Sequence, residues 1–254
     1  NQNSADYLAQ SDDMDDFIHT VVSACDYVKA KKRSKKTLHL SFDEWNVWFH
    51  SKAEEEDTTQ NHPWQTAPAL LEDHYNFEDA LMVGLMMITL LCHADRIKIA
   101  CLAQLVNVIA PIMTEKDGGA WRQTIFYPFL HGSLYGRGMV LQTPVDSPVH
   151  ETSGHGAVSD VVGTAVWNQE EETLTVFAVN RNLEEDVQLN LDLRSFEAAS
   201  PLEKLELAGY DLKEENSAMQ QRICPQSSCD IQMEDGKAKV ILKKASWNVL
   251  RFRL

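Results

Sequence analysis

Residues 38–50 read LHLSFDEWNVWFH, a short apolar run ending in two adjacent carboxylates, Asp43 and Glu44, among two tryptophans and a phenylalanine. A continuous run of this length predicts a strand buried on both faces, as in a parallel sheet. Its acidic end is the chemically interesting point, because a carboxylate in apolar company is costly to ionise. On either side the texture is helical. Residues 11–33 keep a three-and-four spacing through Met14, Phe17, Ile18, Val21, Val22, Cys25 and Val28. Ser11 stands where a cap is needed and aspartates follow in the first turn, so a helix with one buried face is expected. Downstream, NFEDALMVGLMMITLLCHA (76–94) is apolar nearly all round, the pattern of a helix packed between two layers. RIKIACLAQL (96–105) reads as a second buried strand, and a further helix is expected near 124–135.

The order helix, strand, helix, strand, helix implies parallel strands joined by right-handed crossovers. Two strands cannot close a barrel. After about residue 138 the texture changes to short alternating segments, ETLTVFAVN (172–180), DVQLNLDL (186–193), KAKVILK (237–243) and SWNVLRFRL (246–254). Turn signals such as NLEED and the Asp235-Gly236 pair separate them, which predicts a β-sandwich or jelly roll. A complete eight-fold α/β barrel takes about 250 residues by itself. The expected fold class is therefore α/β plus all-β: the C-terminal part of a (β/α)8 barrel over 1–137, then a jelly-roll β-sandwich over 138–254. With no leading strand and no initiator Met, the chain reads as the C-terminal half of something larger.

Composition narrows the partners. A formal net charge of −15 argues against a polyanionic partner such as nucleic acid. The one basic cluster, KAKKRSKK (29–36), falls where a helix ends and complements its dipole. No apolar run is long enough to span a bilayer, so the expectation is a cytoplasmic protein that does not engage a membrane. Of five cysteines, Cys25, Cys92 and Cys101 lie in apolar segments and are expected to be core thiols, whereas Cys224 and Cys229 sit in a polar loop. An odd count without regular spacing is not a disulfide framework. His150, Glu151 and His155 in HETSGHG resemble a metal cluster, but the histidines are five apart and glycine disfavours a helix, so a loop between domains is expected and no metal. The acidic run Glu54–Asp57 reads as solvated loop, and Trp167 and Trp247 as core.

If residues 37–44 form a barrel strand, Glu44 lies at its C-terminal end, where barrel enzymes place catalytic groups. A carboxylate flanked by rings suits the nucleophile of a retaining glycosidase, with Trp45 and Trp48 offering faces for a sugar to stack on. The same residues also suit a plainer role, in which Asp43 or Glu44 accepts hydrogen bonds in a strand-to-loop turn. The local pattern leaves both open.

The segments LSFDEWNVWFHS (40–51), APALLEDHYNFEDALMVGLMMITLLCHADRIKIACLAQLVNVIAPIMTE (67–115), WRQTIFYPFLHGSLYGRG (121–138), LTVFAVNRNLEEDVQLNLDLRSF (174–196) and SWNVLRFRL (246–254) resemble the intracellular α-L-arabinofuranosidases of glycoside hydrolase family 51. The resemblance implies a (β/α)8 barrel with a jelly roll, and retaining cleavage of terminal α-L-arabinofuranosyl groups from arabinan and arabinoxylan oligosaccharides. It makes Glu44 the nucleophile at the end of the seventh barrel strand. Gln104 follows the eighth strand as a hydrogen-bonding partner of the sugar, and Trp48 lies near the substrate. It further implies no metal or organic cofactor and a homo-oligomer, commonly a hexamer. The family's general acid/base, in an Asn-Glu motif after the fourth strand, has no counterpart here, nor has its His-x-Tyr pair, and its sandwich borrows a strand from the N-terminal half. The expectation is thus a nucleophile-bearing half whose partner is the missing N-terminal half. Two alternatives stand beside it: a non-catalytic folding or assembly module, and a barrel glycosidase of different sugar specificity.

Overall fold

The computed structural model describes residues 3–48, 64, 66, 71–196 and 198–254. The acidic run Glu54–Asp57 lies outside the described residues, as does the rest of 49–70 apart from Trp64 and Thr66. The chain begins with helices α1 (Ser4–Ala9) and α2 (Ser11–Lys31), followed by strand β1 (Leu40–Trp45), helix α3 (Phe77–Cys92) and strand β2 (Ile97–Leu102). A small antiparallel pair, β3 (Ile112–Thr114) and β4 (Ala120–Arg122), leads to α4 (Phe126–Tyr135). Strands β1 and β2 are parallel, with Leu40 opposite Ile97 and Trp45 opposite Leu102, as the alternating element order requires. Among the described residues they form a two-stranded sheet and no closed barrel.

The second half is all β. It comprises β5 (Met139–Leu141), β6 (Val149–Thr152), β7 (Gly156–Ser159), β8 (Val161–Asn168), β9 (Thr173–Asn180), β10 (Val187–Asp192), β11 (Ser200–Leu207), β12 (Gln226–Ser228), β13 (Gln232–Glu234), β14 (Lys237–Leu242) and β15 (Ser246–Arg253). A six-stranded antiparallel sheet in the order β12-β11-β15-β9-β8-β5 faces a three-stranded sheet in the order β10-β14-β13. Asp235 and Gly236, both with positive φ, make the tight turn between β13 and β14, as the dipeptide predicts.

Strand β9 is buried along its whole length because its two faces enter two different cores. Leu174, Val176 and Ala178 pack between the sheets with Ala165, Phe252, Val240 and Leu242. Phe177 and Val179 point the other way, joining Trp247 and Val249 of β15 against Leu81, Leu85 and Ile88 of α3. The all-round apolar character of α3 follows from this position: one side meets the six-stranded sheet, another α1 and α2, another α4. Its first turn is closed by a capping box, in which the Asn76 side chain accepts from the Asp79 N–H at 3.1 Å and the Asp79 carboxylate accepts from the Asn76 N–H at 2.9 Å.

Several expectations change. Asn3, not Ser11, caps the leading helix, since the chain turns helical at Ser4; Ser11 instead begins α2 and its hydroxyl donates to the Leu8 carbonyl. Helix α2 buries only Ser11 and Ile18, leaving Phe17, Tyr27 and Val28 exposed, because the described residues supply a partner for only part of its apolar face. Strands β1 and β2 are likewise not buried on both faces, having no flanking strand among the described residues. For the same reason Cys101 on β2 is exposed; Cys92 is exposed at the end of α3 and Cys25 is half-buried, so none of the three is a core thiol. Residues 149–159 form the β6–β7 hairpin rather than a loop, with Val149 opposite Ser159. Trp247 is core as expected, whereas Trp167 is half-buried at the edge of the sandwich interior against Phe196.

Trp247 determines what α3 can carry. Its indole stacks on Phe177 and donates from Nε1 to His131 Nδ1 at 3.0 Å; burial pushes the His131 pKa down to about 4, so the ring stays a neutral acceptor. A Cβ at Gly84 would lie 2.6 Å from Trp247 Cε3. Gly84→Ala should therefore destabilise the protein by about 1–3 kcal/mol through overpacking, outweighing the roughly 1 kcal/mol that alanine gains in helix propensity. Urea unfolding measures the balance, and an unchanged or raised midpoint would show that the indole can move aside.

Candidate active site

The C-terminal ends of β1 and β2 lie side by side. The Ala103 N–H donates to the Trp45 carbonyl at 3.1 Å, so Glu44 and Gln104 flank one and the same backbone hydrogen bond. Both side chains are exposed. Among the described residues no hydrogen bond or ion pair engages the Glu44 carboxylate, in contrast to Asp43, which accepts from the Ser41 hydroxyl two residues back on its own strand. The plainer strand-to-turn role thus falls to Asp43, and Glu44 is left with its oxygens available.

The tryptophans separate. Trp45 is buried and tilts against Phe129 at 6.3 Å, so it belongs to the core beneath the strand and offers no face to a ligand. Trp48 is exposed at the end of the segment. The expectation that both rings serve the site is corrected by strand alternation running through a bulge between Phe42 and Trp45.

What holds this edge in place was missed at the sequence level. Asn46 sits in the turn after β1, and its two amide hydrogens reach the carbonyls of Ala103 at 2.8 Å and Ile109 at 2.7 Å, while its own carbonyl oxygen accepts from the Val47 N–H. The Tyr75 hydroxyl donates to the Val47 carbonyl at 2.9 Å. Tyr75 is in turn held through its N–H by Gln123, a fully buried amide that also donates to the carbonyls of Asp73 and Ala110. The turns after β1 and β2 are thereby tied into one unit, with the cis Ala103–Gln104 peptide between them. The available signal was Asn directly after FDEW, a residue type that satisfies backbone groups in turns.

Other acidic and histidine groups are committed elsewhere. Glu78 and Asp79 are both buried: Glu78 accepts from the Ser4 hydroxyl at 2.5 Å and pairs with Lys213, and Asp79 accepts from the Tyr7 hydroxyl at 2.7 Å besides its capping role. Burial pushes the Asp79 pKa up to about 6 against these hydrogen bonds. His150 and His155 do not converge, since His150 Nδ1 lies 2.6 Å from Asp160 and His155 Nε2 lies 3.3 Å from Asp13. The one group of metal-ligating side chains that converges among the described residues is Asp15, His19 and His93, away from the Glu44 edge.

The family model of the α-L-arabinofuranosidase C-terminal domain matches residues 43–246. An intracellular exo-α-(1→5)-L-arabinofuranosidase of Acetivibrio thermocellus is 57% identical over 249 residues, covering 98% of this chain and 50% of that protein. One from Bacillus subtilis is 49% identical over 251 residues, covering 99% and 49%. Among solved structures, a family 51 α-L-arabinofuranosidase from Bifidobacterium longum superposes with a TM-score of 0.90 at 37% identity, over 98% of this chain and 50% of that one. An arabinose complex of the Thermotoga maritima α-L-arabinofuranosidase, at 19% identity and a TM-score of 0.79, shares the fold. The chain spans about half the length of the curated relatives it matches.

Proposed function

Since the chain belongs to the α-L-arabinofuranosidase C-terminal domain family, we propose that it is the nucleophile-bearing half of a retaining, exo-acting α-L-arabinofuranosidase of glycoside hydrolase family 51. The observation that carries this reading is the exposed, unengaged Glu44 carboxylate at the C-terminal end of a parallel strand, beside Gln104 and in a turn fixed by Asn46 and Tyr75. In this mechanism Glu44 attacks the anomeric carbon of a terminal arabinofuranosyl group while an acid from outside these residues protonates the leaving oxygen. Water then releases the sugar from Glu44, with overall retention. Trp48, exposed beyond the turn, is proposed to lie near the bound sugar, and the chemistry calls for no cofactor.

The relatives are named intracellular exo-α-(1→5)-L-arabinofuranosidases, which supports terminal α-L-arabinofuranosyl groups as the substrate and an intracellular setting; we infer arabinan and arabinoxylan oligosaccharides as the source of those groups. The acid/base comes with an N-terminal half that completes the barrel against α2 and β2, the whole assembling as a homo-oligomer. We place the boundary between the barrel portion and the jelly roll at residues 137/138. Gly138 supports it, with a φ of +133° and so little room that a Cβ would lie 2.3 Å from the Trp167 carbonyl oxygen, immediately before β5 joins the edge of the six-stranded sheet.

The test is the stereochemistry of hydrolysis by the complete enzyme, followed by NMR: the first-formed arabinose should be the α anomer. A β anomer would exclude a covalent role for Glu44, and inactivity on arabinofuranosides with turnover of another glycoside would exclude the substrate class. Gln104 is proposed to bind the sugar without transferring a proton, a neutral amide being able to do only the former. Gln104→Ala should lower kcat/KM by about 1–3 kcal/mol, the scale of an unmade hydrogen bond in a closed site. A loss as large as that on removing Glu44 would assign it a different role.

A further inference from the structure

Asp15 and His19 stand four residues apart on α2, the spacing that puts two side chains on one helical face. His93, the residue that closes the C-terminus of α3, comes in from the other side. His93 Nε2 lies 2.6 Å from Asp15 Oδ1, and His19 Nε2 lies 3.5 Å from Asp15 Oδ2. One nitrogen or oxygen from each of the three falls within 4.8 Å of the others, and the two imidazoles meet edge to face with centroids 4.8 Å apart. A tetrahedral metal bonded at about 2.0–2.1 Å separates its ligand atoms by about 3.3 Å, which lies within the spread of distances already present. We propose that Asp15, His19 and His93 form a binding site for a divalent transition-metal ion of the zinc, cobalt or nickel kind.

The donor set decides the class of ion. Two imidazole nitrogens and one carboxylate suit borderline divalent ions, whereas calcium and magnesium favour all-oxygen sites. The ligands differ in access: the His93 side chain is 14% exposed and that of His19 is 65% exposed, so an ion has an open approach and keeps a position for water. Its effect is mechanical. Helix α2 buries little of its own surface, and an ion shared with His93 pins it to α3, the most buried helix of the fold. The site lies apart from Glu44 and stands whether or not the hydrolase reading holds.

The experiment titrates the 254-residue chain with Co²⁺ followed by visible absorption, with Zn²⁺ added as competitor and thermal melting recorded in Zn²⁺. The expected result is one equivalent of Co²⁺ with the intense ligand-field absorption of a low-coordinate site, bleached by Zn²⁺, and a higher melting temperature in Zn²⁺. His19→Ala, whose side chain is largely in solvent, should keep the fold but weaken Co²⁺ binding by more than roughly a hundredfold, beyond the roughly 10–100-fold that losing a supporting residue costs. His93→Gln should do the same, and His74→Ala, on another surface, should change nothing. Absence of the absorption, or its survival in both His19→Ala and His93→Gln, overturns the proposal.

Discussion

Replacing Glu44 by glycine in the complete enzyme should cut hydrolysis of 4-nitrophenyl α-L-arabinofuranoside by about 10⁴-fold or more, a loss of at least roughly 5 kcal/mol of transition-state stabilisation. Azide should restore turnover. The small anion enters the space the carboxylate vacates and attacks from the side opposite the leaving group, so a single displacement yields the β-configured arabinofuranosyl azide. The substrate's activated leaving group makes this step independent of the acid partner. Because Glu44 is exposed and holds nothing else in place among the described residues, the substitution should lower unfolding free energy by no more than the roughly 0.5–1 kcal/mol that glycine costs within a strand. Unimpaired hydrolysis without azide, or an azide product of retained configuration, would remove Glu44 from the role of nucleophile.

The second large effect concerns the 254 residues alone, which should hydrolyse no arabinofuranoside until the N-terminal half of a relative is supplied. Retention needs two carboxyl groups about 5–5.5 Å apart. Among acids near these elements, Asp43 is engaged by Ser41, the buried Glu78 by Ser4 and Lys213, and the buried Asp79 by Tyr7 and the Asn76 N–H. The relatives are about twice as long, and Phe17, Tyr27, Ile99, Leu105 and Val106 are exposed on the α/β side. Co-expression should therefore restore activity and, in parallel, lower the binding of an apolar dye such as ANS. Full turnover by the chain alone would overturn the division of labour and make Asp43 the first acid to replace.

Where burial and alternation carry the signal, the sequence was legible. The alternating strands β9, β10, β14 and β15, the apolar helix α3 and the Asp235-Gly236 turn all report a local period, and the structure realises each. Helix α2 shows the limit: its period reports a face meant for a partner, and only Ile18 of its apolar set finds burial among the described residues. Sites are harder still. The proposal of Glu44 could be made from the sequence because acid and aromatics are contiguous, but the Asn46, Tyr75 and Gln123 frame is joined by hydrogen bonds between residues far apart in the chain. His93 lies 78 positions from Asp15, so no spacing rule could join them, whereas the closely spaced His150 and His155 turn to different aspartates.

Strand β9 is a party wall. Its alternate residues furnish the sandwich on one side and the bed of α3 on the other, so an insertion of a single residue would move Phe177 among the sandwich side chains and Val176 against the helix. Such a strand cannot drift in sequence for one neighbour without consulting the other. A graft of this jelly roll onto a different barrel would therefore have to bring α3 along or rewrite the outward faces of β9 and β15, which makes helix and sandwich one inheritable unit that straddles the line between the two domains.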